Sequence, residues 1–194
     1  MTDLMPITVL GNTAALAETF GALIIRENAG LALASLALRK GQAAPSPFGL
    51  ALPGVGRAIT KDEYGAFWTG LDQWMIEAEG KAEADFAASL RAEAPGQSVT
   101  EQTDGWVAFD ITSDQGAAPI EMLMRKLVNI DTRSFDAGSA ARTLLGHLGV
   151  FVIRRSEDRL TVIGMRSVAG TIWHDLSVTA RRLERQSVAA VSDR

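Results

Sequence analysis

The chain has 194 residues and a mass of 20.7 kDa, a length that suits one domain or a small pair of domains. Apolar residues make up 47% and charged residues 22%, which is ordinary globular usage and excludes a disordered, collagenous or coiled-coil chain. The absence of cysteine excludes disulfides, thiolate nucleophiles and cysteine-bound zinc, and two histidines are too few for a multi-histidine metal site.

The charge and hydropathy patterns predict neither a nucleic-acid partner nor a membrane. The net charge is −4, so the chain as a whole does not attract nucleic acid. Residues 1–4 contain no basic targeting segment. The most apolar stretch, 31–38, is much shorter than the ~20 residues that a bilayer requires. We therefore expect a cytoplasmic protein.

Positive charge is concentrated near the C-terminus. Residues 1–139 have 10 basic and 18 acidic side chains, whereas residues 140–194 have 9 basic and 5 acidic ones, and all nine basic residues are arginines. Arginine is enriched in protein interfaces because its planar guanidinium pairs with carboxylates and stacks on aromatic rings. Two interpretations are open: faces that complement each other within one fold, or a docking surface for a larger assembly.

The first half of the chain predicts mainly strands. In chain order its elements are a short helix or extended lead-in (13–25), a strand (31–38), a connection with one helical turn at most (41–56), a hairpin (64–78) and a helix (81–94). The alternation of leucines in the first strand slips near Ser35, which predicts a bulge there. Pro95 and Gly96 end the helix.

The second half repeats this order. Its predicted elements are a strand (106–111), an amphipathic helix (119–128), three strands (141–148, 150–154 and 160–165) and a closing helix (168–185). Pro119 suits the first turn of its helix, and Met122, Leu123 and Leu127 form the apolar side. Hairpins joined this closely require antiparallel pairing, which predicts an α+β fold.

Motifs for phosphate binding or nucleophilic catalysis are weak in this sequence. The G-x-G at 54–56 has no third glycine, which favours a plain turn. His174 and Asp175 are adjacent, so on a helix they point in different directions. His147 has no serine or cysteine partner at motif spacing. The sequence therefore predicts no catalytic residue in this chain.

The most distinctive segment is the aromatic turn 67–74, F-W-T-G-L-D-Q-W. Trp68 and Trp74 share a hairpin face if the turn inserts an even number of residues. We interpret them as packing anchors, with Asp72 capping the turn. A binding platform is the alternative, since tryptophan also anchors interfaces.

Residues 68–74 resemble the W-x-G-P-D-x-W signature of the gamma subunit of heterotetrameric sarcosine oxidase, with Leu71 where that family usually has proline. The motif positions of the resemblance are Trp68, Gly70, Asp72, Trp74, Asp110 and Gly138. Four further segments match in the same order: 48–57, 107–112, 135–146 and 166–173. The resemblance covers about residues 25–182. The connection at 41–47 departs from it, being shorter and richer in proline than a helical linker.

The sarcosine oxidase gamma subunit is distantly similar to the folate-binding region of glycine cleavage T-protein, an aminomethyltransferase. There the hairpin that corresponds to 149–155 carries a pair of aspartates, one of them needed for folate chemistry. Here the segment reads G-V-F-V-I-R-R and contains no carboxylate. The resemblance therefore implies that the fold is retained and that catalysis lies elsewhere.

The resemblance implies an α+β fold of antiparallel sheets with helices, built from two similar interleaved halves, as in the folate-binding T-protein-like fold. We expect one domain over residues 13–186, with halves of about 13–100 and 101–186. Residues 1–12 and 187–194 are expected to be flexible tails.

The same resemblance implies an accessory gamma subunit in a complex that demethylates sarcosine oxidatively to glycine, with formation of hydrogen peroxide and methylenetetrahydrofolate. FAD, FMN, NAD, zinc and tetrahydrofolate are expected on the other subunits, and this chain is expected to bind none of them. Its partners would be the alpha, beta and delta subunits. Two alternatives are a stand-alone folate-dependent aminomethyltransferase-like protein and a binding module on the same fold.

For the interface with a partner we select four arginines of the positively charged region: Arg142, Arg154, Arg155 and Arg166. An interface needs buried anchors inside a polar rim, and arginine serves as such an anchor. The competing interpretation is that these side chains pair internally with acids such as Asp110, Asp114 and Asp131.

Overall fold

A computed structural model describes residues 7–192, which form eleven strands and three α-helices. The strands are β1 (Ala17–Phe20), β2 (Leu23–Asn28), β3 (Ala32–Ala37), β4 (Ala58–Lys61), β5 (Tyr64–Gly70), β6 (Gln73–Ala78), β7 (Ser98–Glu101), β8 (Trp106–Ser113), β9 (Ala140–Leu145), β10 (Leu148–Ser156) and β11 (Arg159–Met165). The helices are α1 (Phe86–Glu93), α2 (Ala117–Leu127) and α3 (Ala169–Ser192). A short 3-10 turn at Pro47–Gly49 is the helical turn expected within the 41–56 connection.

The strands form two sheets, and all of their pairings are antiparallel. One sheet has six strands in the order β1-β2-β8-β11-β10-β9, and the other has five in the order β4-β5-β6-β3-β7. The open question about residues 13–25 is thus answered in favour of strands. Because β1 and β2 belong to the same sheet as β8 of the second half, with β2 paired directly to it, the halves are interleaved as predicted.

The two sheets pack face to face, and helices cover their outer faces. Side chains between the sheets include Leu33, Phe67, Phe151 and Ile163. Helices α2 and α3 bury a larger cluster against the six-stranded sheet, and α1 covers the five-stranded sheet. Four layers result, with an apolar cluster between each adjacent pair.

The sheets are also joined along one edge, where β4 meets β9. Gly138 accepts a hydrogen bond from the Ala58 N–H at 2.8 Å and donates to the Arg154 carbonyl at 2.7 Å. Its φ is +80°, in the left-handed region that glycine adopts without strain. A Cβ at this position would also lie 3.1 Å from Nη2 of Arg57. The motif glycine Gly138 therefore links one sheet to the other.

Local predictions for β3 and α2 are wrong. No bulge occurs at Ser35, because the register of β3 is continuous with both of its neighbours. Both faces of β3 are buried, so leucines occur on both: Leu33 lies between the sheets and Leu36 packs against α1. This explains why their alternation slips without a bulge. Met122 lies on the outer side of α2 and is 41% exposed, and Met124 takes the buried position instead.

Within residues 7–192, both segments that we predicted as tails contain hydrogen-bonded structure. Residues 8–12 form a turn in which the Thr8 N–H donates to the Asn12 carbonyl at 2.8 Å, and the turn is tied to the sheet because the Leu10 N–H donates to Glu27. Helix α3 continues to Ser192, so the segment 187–192 is helical. The tail predictions for 1–6 and 193–194 lie outside the described residues.

Across residues 7–192, none of the helices combines the length and the apolar character that a bilayer-spanning segment requires.

Candidate functional site

The two motif tryptophans lie directly opposite each other on the β5–β6 hairpin. A register shift between Trp68 and Gly70 leaves two residues, Leu71 and Asp72, at the tip. Both indoles pack on the cluster under α1, and Nε1 of Trp74 donates to the Pro53 carbonyl at 2.7 Å. The contacts agree with the packing interpretation of this pair.

The tip of this hairpin is held through the backbone of Asp72. Its φ is +54°, a left-handed conformation that aspartate tolerates better than most residues. Its carbonyl accepts from the Leu38 N–H at 3.0 Å, which ties the hairpin to the end of β3. Leu71 beside it is 85% exposed, so the tip presents an apolar side chain to solvent.

Arg155, one of the four predicted docking residues, is instead part of an ion pair buried between the sheets. Its guanidinium donates to both carboxylate oxygens of Glu77, with Nη2 2.8 Å from Oε2, and its Nε donates to Thr161 at 3.0 Å. The side chains are 16% and 5% exposed. Burial alone lowers the pKa of Arg155, but the charge of Glu77 and its hydrogen bonds outweigh burial, so the pKa is raised.

Three more polar residues extend this network: Asn28, Glu79 and the motif residue Asp110. Asp110 accepts hydrogen bonds from Asn28 Nδ2 at 2.9 Å and from Thr161 Oγ1 at 2.7 Å. The same Nδ2 lies 3.1 Å from each oxygen of Glu79. The pKa of Glu79 is raised. Burial is the largest cause, and the charges of Asp110 and Glu77 act in the same direction, whereas the hydrogen bond from Asn28 lowers the pKa.

The network lies on the wall of a cleft of about 250 Å³ beside the turn between β4 and β5. Gly65 is required there, because a Cβ would stand 2.3 Å from Oε1 of Glu77. Acids outnumber bases on this wall. The lining charged residues are Asp62, Glu63, Glu77, Glu79, Asp110, Arg155 and Arg159. Each carboxylate at the base of the cleft already accepts a hydrogen bond within the protein, so the network serves to join the two sheets.

Arg154 is also buried, at 4% exposure. Its Nη2 donates to the Glu157 carbonyl, and its Nη1 lies 4.0 Å from the sulfur of Met124. Burial lowers the pKa of this guanidinium, and the charges of Glu121 and Glu157 act in the opposite direction. The docking assignment of Arg154 and Arg155 is therefore wrong, because both side chains are largely buried and their guanidinium groups bond within the fold. The internal-pairing interpretation holds for Arg155, but its partner is Glu77.

Arg142 and Arg166 are exposed. Arg142 on the edge strand β9 places its guanidinium 5.8 Å from the centre of the Phe151 ring. Arg166 follows β11 and lies 3.8 Å from the carboxylate of Asp104. Both could contact a partner chain, so for these two the docking assignment stays a prediction.

The segment 149–155 forms most of β10, and its side chains have packing roles. Residues 150–154 are all buried. Phe151 contacts Phe67 and Trp106 at ring-centroid distances of 5.1 and 5.5 Å. An aspartate introduced at the apolar positions of this segment would be buried in the core.

The remaining candidates from the sequence lie in a turn, at a hairpin tip and on a helix. Residues 54–57 form a turn in which the Arg57 N–H donates to the Gly54 carbonyl, as predicted for the lone G-x-G. His147 lies with Gly146 at the tip of the β9–β10 hairpin, and His174 lies on α3; both histidines are exposed. Within residues 7–192 no group of three potential metal ligands occurs.

Sequence reasoning missed Glu77, Glu79 and Asn28. The sequence does contain a signal for this ion pair. Glu77 interrupts the apolar run M-I-E-A, and Arg155 closely follows the apolar run V-F-V-I. A charged residue within a buried strand requires a partner of opposite charge. What the sequence could not supply was the pairing, since the two residues are 78 positions apart.

No protein-family model matches this chain, and a search of curated proteins finds no match. Solved structures do match. A chain of the heterotetrameric sarcosine oxidase from Corynebacterium sp. U-96 superposes with a TM-score of 0.70 at 18% identity, covering 86% of this chain and 88% of that one. This chain has the fold of that oxidase chain.

Glycine cleavage system aminomethyltransferase T from Bartonella henselae shares the fold as well. It superposes with a TM-score of 0.52 at 16% identity, and the match covers 80% of this chain and 48% of that one. The antiparallel α+β fold with interleaved halves, predicted from the sequence, is confirmed by both likenesses. The match spans about half of the aminomethyltransferase and nearly all of the oxidase chain.

Proposed function

We propose that this chain is the gamma-type accessory subunit of a cytoplasmic heterotetrameric sarcosine oxidase. The observation that carries the proposal is the nearly complete mutual coverage with a chain of such an oxidase. Five sequence segments in the same order as in the gamma family support it independently. Its partners would be the alpha, beta and delta subunits, and the complex would convert sarcosine to glycine with formation of hydrogen peroxide and methylenetetrahydrofolate.

We propose further that the role is structural support of the folate-bearing alpha subunit. The segment where T-protein carries its aspartates is here a core strand ending in two arginines that bind within the fold. Activation of a folate amine requires an acid or base at hydrogen-bond distance from it. FAD, FMN, NAD, zinc and tetrahydrofolate would accordingly be held by the other subunits.

A titration of the purified chain with tetrahydrofolate tests this role against the alternative of an aminomethyltransferase-like protein. The fold likeness to the Bartonella protein is the observation that favours this alternative. We expect no saturable binding by calorimetry, no flavin absorbance and no turnover of sarcosine by the chain alone. Saturable, stoichiometric folate binding would favour a stand-alone folate protein, and sarcosine turnover by the isolated chain would contradict the accessory role directly.

A further inference from the structure

A second cleft, of about 400 Å³, opens beside Asn28 and is distinct from the cleft at the ion-pair network. It lies where the chain crosses between the two sheets, after β2 and before β8, and the segment 7–15 forms one wall. Leu31, Leu33 and Trp106 supply an apolar wall. Its volume falls within the range of about 300–1,000 Å³ that is typical of small-molecule sites.

Glu27 lines this cleft and is only 1% exposed. Its carboxylate accepts two backbone hydrogen bonds, from the Leu10 and Leu16 N–H groups, both long at 3.3 Å. Within residues 7–192 no arginine, lysine or histidine lies at ion-pair distance from it. A buried carboxylate without a countercharge is costly, and a cation bound beside it removes that cost.

A second polar group on the same wall has no hydrogen-bond partner within residues 7–192. Oγ1 of Thr8 is buried and has no hydrogen-bond partner among the described residues. Buried hydroxyls are nearly always paired, and no residue in the range 7–192 supplies the partner of this one. At the rim stand Glu83, Asp104 and one cation, Arg166, which lies 3.8 Å from Asp104. The lining charge is therefore negative overall, which favours a cationic ligand.

We propose that this cleft binds a small organic amine. Its ammonium group donates to the Glu27 carboxylate and to Thr8 Oγ1, and its apolar part lies against Leu31, Leu33 and Trp106. A metal ion fits less well, because a hard cation takes six or more oxygen ligands and no group of three acidic or histidine ligands occurs among residues 7–192. The inference concerns binding by this chain itself and does not depend on the proposed accessory role.

Trp106 provides a reporter inside the cleft, since its indole N–H donates to Gln102 at 3.1 Å. In the full chain labelled with ¹⁵N-tryptophan, four indole signals are expected from the four tryptophans, and Trp106→Phe assigns the relevant one. Benzylamine is the probe, and benzyl alcohol is its neutral counterpart of similar shape. We expect benzylamine to shift the Trp106 signal saturably, and benzyl alcohol to bind at least tenfold more weakly.

Two variants complete the test. Glu27→Gln removes the charge and keeps an acceptor for one of the two backbone N–H groups, and we expect at least tenfold weaker benzylamine binding. If that variant fails to fold, Ala82→Phe fills the cleft while Glu27 remains, and it should abolish the shift, whereas Ala44→Phe on the exposed connection should not. Equal binding of the amine and the alcohol, or no saturable shift in the unaltered chain, would overturn the proposal.

Discussion

Arg155 on one sheet and Glu77 on the other form a buried ion pair in which each side chain neutralises the charge of the other. We expect Arg155→Met to destabilise the protein by about 3–5 kcal/mol, since removal of one partner leaves an uncompensated buried charge. Urea unfolding followed by tryptophan fluorescence measures this free energy.

The matched control for this pair is Arg133→Ala, which removes a guanidinium that is 84% exposed and bonded to Asp131. Exposed pairs contribute about 0–1 kcal/mol, so little change is expected. The double variant Glu77→Leu/Arg155→Met should be more stable than Arg155→Met alone, because it leaves neither member of the pair as an unpaired charge. A cost for Arg155→Met no greater than that for Arg133→Ala would show that the pair does not hold the sheets together.

The raised pKa of Glu79 predicts a pH-dependent effect at a second residue. Because its pKa in the folded protein exceeds the ordinary value of 4.5, the folded state binds more protons there than the unfolded state. This contribution to stability is present below pH 4.5 and is lost as the pH rises through the folded pKa. We expect Glu79→Gln to be more stabilising, relative to the parent chain, at pH 7 than at pH 4. Urea unfolding of the variant and the parent chain at both pH values measures this change in the free energy of unfolding. An equal change at the two pH values, or a larger stabilisation at pH 4, would contradict the prediction.

At the scale of single elements, helix α1 has one clear capping interaction. Oδ1 of Asp85 accepts a hydrogen bond from the Ala88 N–H at 2.8 Å, so the helix begins at Phe86 rather than at the predicted residue 81. We expect Asp85→Ala to destabilise the protein by about 1 kcal/mol. The control is Asp85→Asn, which caps nearly as well. Thermal and urea unfolding compare the two, and equal losses would argue against a capping role.

The elements themselves were mostly predictable, whereas their long-range partners were not. Residues 64–78 form the expected hairpin because aromatic residues flank a two-residue tip, a local pattern that the sequence displays. Strand β2 pairs with β8, whose residues are 80 to 90 positions away from their partners, and no local pattern encodes that choice. For the same reason the burial of Arg154 could not be predicted, because the Met124 side chain that it contacts belongs to a different element.

At the scale of the whole molecule, the proposed docking surface now depends on Arg142 and Arg166. In the assembled oxidase we expect Arg142→Ala and Arg166→Ala to weaken association with the large subunit, because truncation of a desolvated interface arginine costs ~2 kcal/mol or more. The melting temperature of the isolated chain should hardly change, since both side chains are exposed. Arg154→Ala, by contrast, should lower it by several degrees. Unchanged assembly with both exposed variants would place the interface elsewhere.

Co-purification of this chain with an oxidase tests the central claim most directly. The chain, carrying an affinity tag, is expressed together with the products of the adjacent genes, and the captured material is separated by size exclusion with flavin absorbance monitored. The account predicts one complex containing four different subunits in equal amounts, with flavin absorbance and sarcosine-dependent peroxide formation. Elution of this chain alone, while an active flavoprotein assembles without it, would contradict the account.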